Sequence, residues 1–100
     1  MAIDIEWQDE KGCVLARYDG PAIDGSLLSK FPAASVCLRF IDPCGDTVFN
    51  QAQIRVLVAE LDTLLLPGSG RPPPSAIVAM RQFIDRALGE THTYLKFIGD

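Results

Sequence analysis

The chain has 100 residues and a mass of 10.9 kDa, which is room for one hydrophobic core, so we expect a single domain over residues 1–100. Its hydrophobic fraction of 48% and charged fraction of 22% are typical of a folded protein and argue against global disorder. The net charge is −4, and the nine Lys and Arg residues are scattered along the chain. This pattern lacks the basic stripe of a nucleic-acid-binding protein, and it disfavours binding to an anionic membrane surface.

The apolar segments and the cysteines bear on the compartment. No basic-then-apolar leader opens the sequence, and no apolar run approaches the roughly 18 residues of a spanning helix. Three cysteines, Cys13, Cys37 and Cys44, stand at irregular spacings, and the one histidine is His92. An odd cysteine count without a secretion signal favours reduced thiols, so we expect a cytoplasmic protein. Since zinc usually takes two close pairs of ligands, we expect no metal and no cofactor.

The first predicted element is a β-hairpin. Apolar residues alternate with polar ones from residue 3 to residue 7, which is the pattern of a strand with one buried face. Residues 9–12 (Asp-Glu-Lys-Gly) suit a type I turn that ends in a left-handed residue. The chain then returns as a strand over residues 13–18, and we expect Trp7 to lie opposite Leu15.

A second turn of the same kind, Asp-Pro-Cys-Gly at residues 42–45, predicts a second hairpin. It would join a strand over residues 36–41 to a shorter strand over residues 46–49. In that hairpin Phe40 faces Val48, and Arg39 faces Phe49.

Three segments are predicted to be helical. Residues 24–30 suit one or two turns that end before Pro32. A longer helix begins at Asn50, where Asn at the N-cap and Gln53 three residues later form a capping box, and it ends at Pro67. A turn-rich connector over residues 68–74 follows. The last helix starts near Pro74 or Ser75 and ends at Gly89, and both long helices carry apolar residues at helical spacing.

A final strand over residues 91–98 completes the order β-β-(short α)-β-β-α-α-β. We therefore expect an α+β fold with a mainly antiparallel sheet of about five strands and two amphipathic helices on one face. The covered face would carry Ile5, Trp7, Leu38, Phe40, Leu95 and Phe97. The open face would carry Tyr18, Arg39, Ile41, Phe49, His92, Tyr94, Lys96 and Ile98.

The sequence carries no recognisable catalytic constellation. A Cys–His nucleophile pair would need Cys37 or Cys44 beside His92, and no local signature marks such a pair. Cys44 has the acidic neighbours Asp42 and Asp46, whose charges discourage a thiolate. We predict no catalytic residue from these patterns.

The open sheet face is the remaining candidate, because aromatic residues mixed with Arg are enriched at protein interfaces. The residues predicted to bind a partner are Arg39, Phe49, His92, Tyr94 and Lys96. Two alternatives stay open: residues 20–34 fold over this face, or large residues are merely scattered there.

The functional hypothesis is a non-enzymatic protein-interaction module that binds a protein partner or a second copy of itself. An acidic module of this kind would be inhibitor-, immunity- or adaptor-like. The alternative is a small-ligand-binding domain, or a minor enzyme, with a pocket between the helices and the sheet.

Overall fold

The computed structural model describes residues 2–66 and 74–99. It has the predicted α+β architecture, with a five-stranded antiparallel sheet and two long helices. The strands are β1 (Ala2–Asp9), β2 (Val14–Arg17), β3 (Ile23–Asp24), β4 (Asp46–Phe49) and β5 (Thr93–Ile98). The helices are α1 (Gly25–Leu28), α2 (Gln51–Leu65) and α3 (Ser75–Ala87), with a 3₁₀ turn at Leu38–Phe40.

The sheet has the strand order β2-β1-β5-β4, and β3 pairs with the first residues of β1. Thus β1 and β5 lie side by side in the centre, although they come from opposite ends of the described chain. Their antiparallel pairing runs from Asp4 opposite Ile98 to Asp9 opposite Thr93. The core therefore depends on a contact between distant parts of the sequence.

The first hairpin forms at the predicted turn, but its predicted register is wrong. The N–H of Asp9 donates to the carbonyl of Cys13 at 3.0 Å, as a three-residue connection requires. Beyond that point Trp7 lies opposite Ala16, while Gln8 lies opposite Val14. The register shift is a β-bulge that leaves Leu15 without a partner.

The second predicted hairpin is wrong, although its turn is present. Residues 36–41 contain the 3₁₀ turn instead of a strand, so Phe40 does not face Val48 and Arg39 does not face Phe49. The physical reason is an alternative acceptor: the carboxylate of Glu60 on α2 takes backbone N–H groups of this segment. β4 pairs with β5 instead.

The helices begin as predicted. Asp24 caps α1, since its carboxylate accepts the N–H of Leu27 at 2.9 Å. Asn50 and Gln53 form the reciprocal capping box of α2. Gly89 follows α3 with a φ of 83°, the left-handed conformation that ends a helix. The predicted stop at Pro67 and most of the connector lie outside the described residues.

The last strand begins at Thr93, two residues later than predicted. His92 has a φ of 60°, a left-handed conformation that is incompatible with continued strand pairing. The side chain of His92 therefore belongs to the turn before β5.

One hydrophobic core lies between the sheet and the two long helices. Its fully buried side chains include Ile5, Ile54, Leu57, Leu61, Met80, Ile84, Leu95 and Phe97. Phe40 was predicted to belong to this core but is 59% exposed, and Trp7 is only partly buried. Across the described ranges, no helix is both long and apolar enough to cross a membrane.

Candidate interaction surface

The face of the sheet opposite the helices carries one row of side chains across four strands. Arg17 on β2 lies opposite Glu6 on β1, Glu6 lies opposite Lys96 on β5, and Lys96 lies opposite Val48 on β4. Opposed residues on antiparallel strands share a face, so these four side chains are neighbours.

Two shorter rows flank it. Gln8 lies between Val14 and Tyr94 on one side, and Ile98 lies between Asp4 and Asp46 on the other. We call this surface the open sheet face, and it comprises Asp4, Glu6, Gln8, Val14, Arg17, Asp46, Val48, Tyr94, Lys96 and Ile98.

Four of the five charged side chains of the open sheet face form local pairs, and the fifth is Asp4. Arg17 Nε is 3.0 Å from Glu6 Oε2, and Lys96 Nζ is 3.5 Å from Asp46 Oδ2. Gln8 Nε2 donates to Glu6 Oε1 at 2.8 Å. This hydrogen bond is the main cause that lowers the pKa of Glu6; partial burial opposes it, and Arg17 adds to it. The central carboxylate is therefore held ionised and oriented.

Three apolar or aromatic side chains lie next to these charged ones on the same face. Val48 is 55% exposed, and Tyr94 and Ile98 are partly buried. The central row of this face is thus mostly charged, and its apolar side chains lie at the β4 end of that row and in the two flanking rows.

Of the five residues predicted to bind a partner, the structure brings Tyr94 and Lys96 together on the open sheet face. The predicted placement of Phe49 is wrong, because Phe49 is 3% exposed. It lies opposite Leu95 and packs edge-on against Phe97, with the ring centroids 5.5 Å apart. Once β4 pairs with β5 in this register, Phe49 must share the covered face.

Arg39 and His92 also lie off the sheet. The guanidinium of Arg39 lies 4.7 Å from the centroid of the Phe40 ring, in the 3₁₀ turn. His92 Nδ1 is 3.5 Å from Glu10 Oε2, next to the first hairpin turn. These two predicted placements are wrong for the same reason: each residue belongs to a turn and not to a strand.

Two further residues expected on the open face point elsewhere. Ile41 is buried in the core. Tyr18 packs edge-on against Phe83 of α3, with the ring centroids 5.9 Å apart, and its hydroxyl donates to the carbonyl of Pro21 at 2.6 Å.

Glu6, Gln8 and Val48 were not predicted to belong to this surface. The alternation along β1 contained the signal for Glu6 and Gln8, since residues between buried ones must face the other side. Val48 was missed because its strand was paired with the wrong neighbour.

Gln51, the first residue of α2, positions β5 and was also missed. Its Nε2 donates to the Ala87 carbonyl at 2.9 Å and to Thr93 Oγ1 at 3.0 Å, while its Oε1 accepts the N–H of Gly89 at 2.9 Å. One amide thus joins the end of α3 to the start of β5, the strand that carries Tyr94 and Lys96.

Comparison with known proteins finds no matching family model, no matching curated protein and no matching solved structure.

Proposed function

We propose that this chain is a non-enzymatic protein-interaction module that binds a protein partner, or a second copy of itself, through the open sheet face. The supporting observation is the exposed Val48 beside Tyr94 and Ile98, on the side of the sheet away from α2 and α3. Burying such side chains yields about 25 cal/mol for each Å² of apolar surface.

The contact anchors of this proposal are Tyr94, Val48 and Lys96. Tyr94 supplies a large area at little cost in side-chain entropy, which is why Tyr is frequent among interface hot spots. Lys96 and Arg17 already have carboxylate partners on the same face. Because these ion pairs already hold the charged side chains in place, binding a partner costs little additional side-chain entropy at these positions.

The net charge of −4 favours encounter with a basic protein, which suits an inhibitor-, immunity- or adaptor-like role. Charge of this kind accelerates association more than it strengthens the complex. In this proposal the residues of the open sheet face determine which protein binds, and the net charge affects only how fast it associates.

Self-association is tested by light scattering on the wild type and on the variant Val48→Ser/Tyr94→Ala. We expect a dimer in the wild type and a monomer in the variant, with unchanged far-ultraviolet circular dichroism. Val78→Ser is the matched control, because Val78 is an exposed valine on α3. A dimer that survives in the double variant contradicts this form of the proposal.

A different partner is tested by photocrosslinking in producing cells. A photoreactive residue at position 48 is expected to give one defined adduct, and the same residue at position 78 is expected to give none. Equal adducts at both positions, or a wild type that is monomeric and gives no adduct at position 48, would remove the open sheet face as the binding surface.

A second candidate function is small-ligand binding, favoured by one cavity of about 210 Å³ between the end of β2 and α3. It is lined by Tyr18, Asp19, Gly20, Ala79, Gln82, Phe83 and Arg86. Native mass spectrometry of the purified protein tests this function. A bound metabolite that is lost in Arg86→Ala would support it, and an unliganded wild type would count against it.

A further inference from the structure

The segment that replaces the predicted third strand exposes two large apolar side chains. Val36 is 58% exposed and Phe40 is 59% exposed. Between and beside them Cys37, Leu38 and Ile41 are buried. The segment is therefore anchored by its buried residues and presents the other two to solvent.

This segment is held in one conformation by side chains from outside it. The carboxylate of Glu60 accepts the N–H groups of Val36, of Cys37 at 2.9 Å and of Leu38 at 3.1 Å. At its other end the hydroxyl of Thr47 donates to the carbonyl of Phe40 at 3.3 Å. A surface that is ordered before binding loses less entropy when a partner arrives.

Val36 and the outer side of α2 enclose a shallow depression of about 380 Å³. Its lining is Val36, Arg55, Val56, Ala59, Glu60 and Thr63. The carboxylate of Glu60 is already hydrogen-bonded to backbone N–H groups, and the Thr63 hydroxyl donates to the carbonyl of Ala59. Apart from Arg55, the remaining lining side chains are apolar. The depression can receive an apolar side chain.

One arginine lines this depression, and a second lies in the adjacent turn. Arg55 lines it directly. Arg39 belongs to the 3₁₀ turn that follows Val36, where its guanidinium is stacked on Phe40. Within residues 2–66 and 74–99, neither arginine is in an ion pair with a carboxylate. With the carboxylate of Glu60, which also lines the depression, these three charges sum to +1, on a protein of net charge −4.

We propose that this surface, the arginine groove (Val36, Arg39, Phe40, Arg55 and Val56), binds a short acidic segment of a partner protein. An apolar side chain of that segment fills the depression, and its carboxylates pair with Arg39 and Arg55. Arginine pairs with carboxylates in a bidentate geometry, which gives the contact direction. The groove comprises five residues, against the roughly 20–30 that each partner contributes to a standard interface, so a short peptide is its natural occupant. This inference does not depend on the open sheet face.

The test is selection of random peptides displayed on phage against the wild-type protein, followed by affinity measurement on synthetic copies of the enriched peptides. We expect enriched peptides to be net negative and to contain an aromatic or large aliphatic residue. The variant Arg39→Glu/Arg55→Glu should weaken their binding at least about tenfold. The control Lys11→Glu/Lys30→Glu, which changes two exposed cations and has the same net charge, should weaken it far less. Circular dichroism checks that both variants are folded.

Several results would overturn this inference. One is a lack of enrichment over the bare support, another is enrichment of neutral or basic peptides, and a third is an equal loss of affinity in the two variants. A wild-type oligomer that Arg39→Glu/Arg55→Glu dissociates would instead show that a second copy of the chain occupies the groove. The three peptide results do not bear on Val48 and Tyr94. An oligomer that dissociates in Arg39→Glu/Arg55→Glu but persists in Val48→Ser/Tyr94→Ala would also count against self-association through the open sheet face.

Discussion

The carboxylate of Glu60 accepts the backbone N–H of Cys37 at 2.9 Å, and this bond ties the segment before β4 to the middle of α2. The same carboxylate also accepts the N–H groups of Val36 and Leu38. One side chain thus satisfies three donors that a β-strand would have paired with a neighbouring strand. Glu60 is the reason why residues 36–41 form a turn.

Replacing this carboxylate tests its role. We expect Glu60→Gln to lower the free energy of unfolding by about 1–3 kcal/mol, because partly buried N–H groups lose a charged acceptor. Urea denaturation measures the change. Glu90→Gln is the control, since Glu90 is exposed and its side chain has no hydrogen bond among the described residues. Equal stability of the Glu60→Gln variant and the wild type would mean that other contacts hold the segment.

Cys37 reports on the same segment. Burial raises the pKa of the Cys37 thiol, and the negative charge of Glu60 raises it further. A raised pKa leaves less thiolate at neutral pH, so Cys37 should react with a thiol reagent far more slowly than the exposed Cys13 and Cys44. Mass spectrometry after timed labelling gives the order of reaction. Glu60→Gln should accelerate labelling of Cys37 alone, and rapid labelling of Cys37 in the wild type would contradict its burial.

A close approach at the end of β5 predicts a glycine requirement. A Cβ on Gly99 would lie 2.6 Å from the Asp42 carbonyl oxygen and 2.6 Å from the Pro43 carbonyl carbon. The N–H of Gly99 also donates to the Gly45 carbonyl at 2.8 Å. Gly99→Ala must therefore displace the turn at residues 42–45, and we expect a loss of about 1–3 kcal/mol.

Thermal and urea unfolding of Gly99→Ala should be compared with Gly25→Ala. A Cβ at Gly25 meets nothing within 4 Å, so that substitution should leave stability nearly unchanged. Equal stability of the two variants would mean that the turn at residues 42–45 moves to accommodate the added Cβ at little cost in free energy.

The lowered pKa of Glu6 predicts a pH dependence on the open sheet face. The main cause of the lowered pKa is the hydrogen bond from Gln8, with a further contribution from Arg17. A carboxyl group whose pKa is lower in the folded state stabilises the fold above its ordinary pKa, and that stabilisation is lost as pH falls through the lowered pKa. Gln8→Ala should move the pKa of Glu6 back upward, as measured by NMR titration of the side-chain carboxyl carbon.

The matched control for this titration is Gln82→Ala, which removes an exposed glutamine from α3. It should leave the titration of Glu6 unchanged. A Glu6 pKa that does not respond to Gln8→Ala would assign the lowering to Arg17 instead.

Local chemistry was enough to predict much of the fold. The turn at residues 9–12, the capping box of Asn50 and Gln53, and the left-handed Gly89 all depend on interactions within a few residues. Hydrophobic periodicity likewise placed both long helices and the strand after them. Such features are readable in the sequence because the atoms that stabilise them are neighbours along the chain.

Strand partners and surface membership were decided by contacts between distant residues. Nothing near Val48 in the sequence indicates that its strand pairs with β5, and that pairing moved Phe49 into the core while leaving Tyr94 and Lys96 outside. Similarly, the turn at residues 36–41 depends on Glu60, which lies 23 residues from Cys37 along the chain. The sequence by itself determined the class of fold and most of its elements, whereas only the tertiary structure decided which side chains meet at each surface. The physical reason is that a strand's hydrogen bonds are satisfied equally well by several partners, and packing of the whole chain selects one of them.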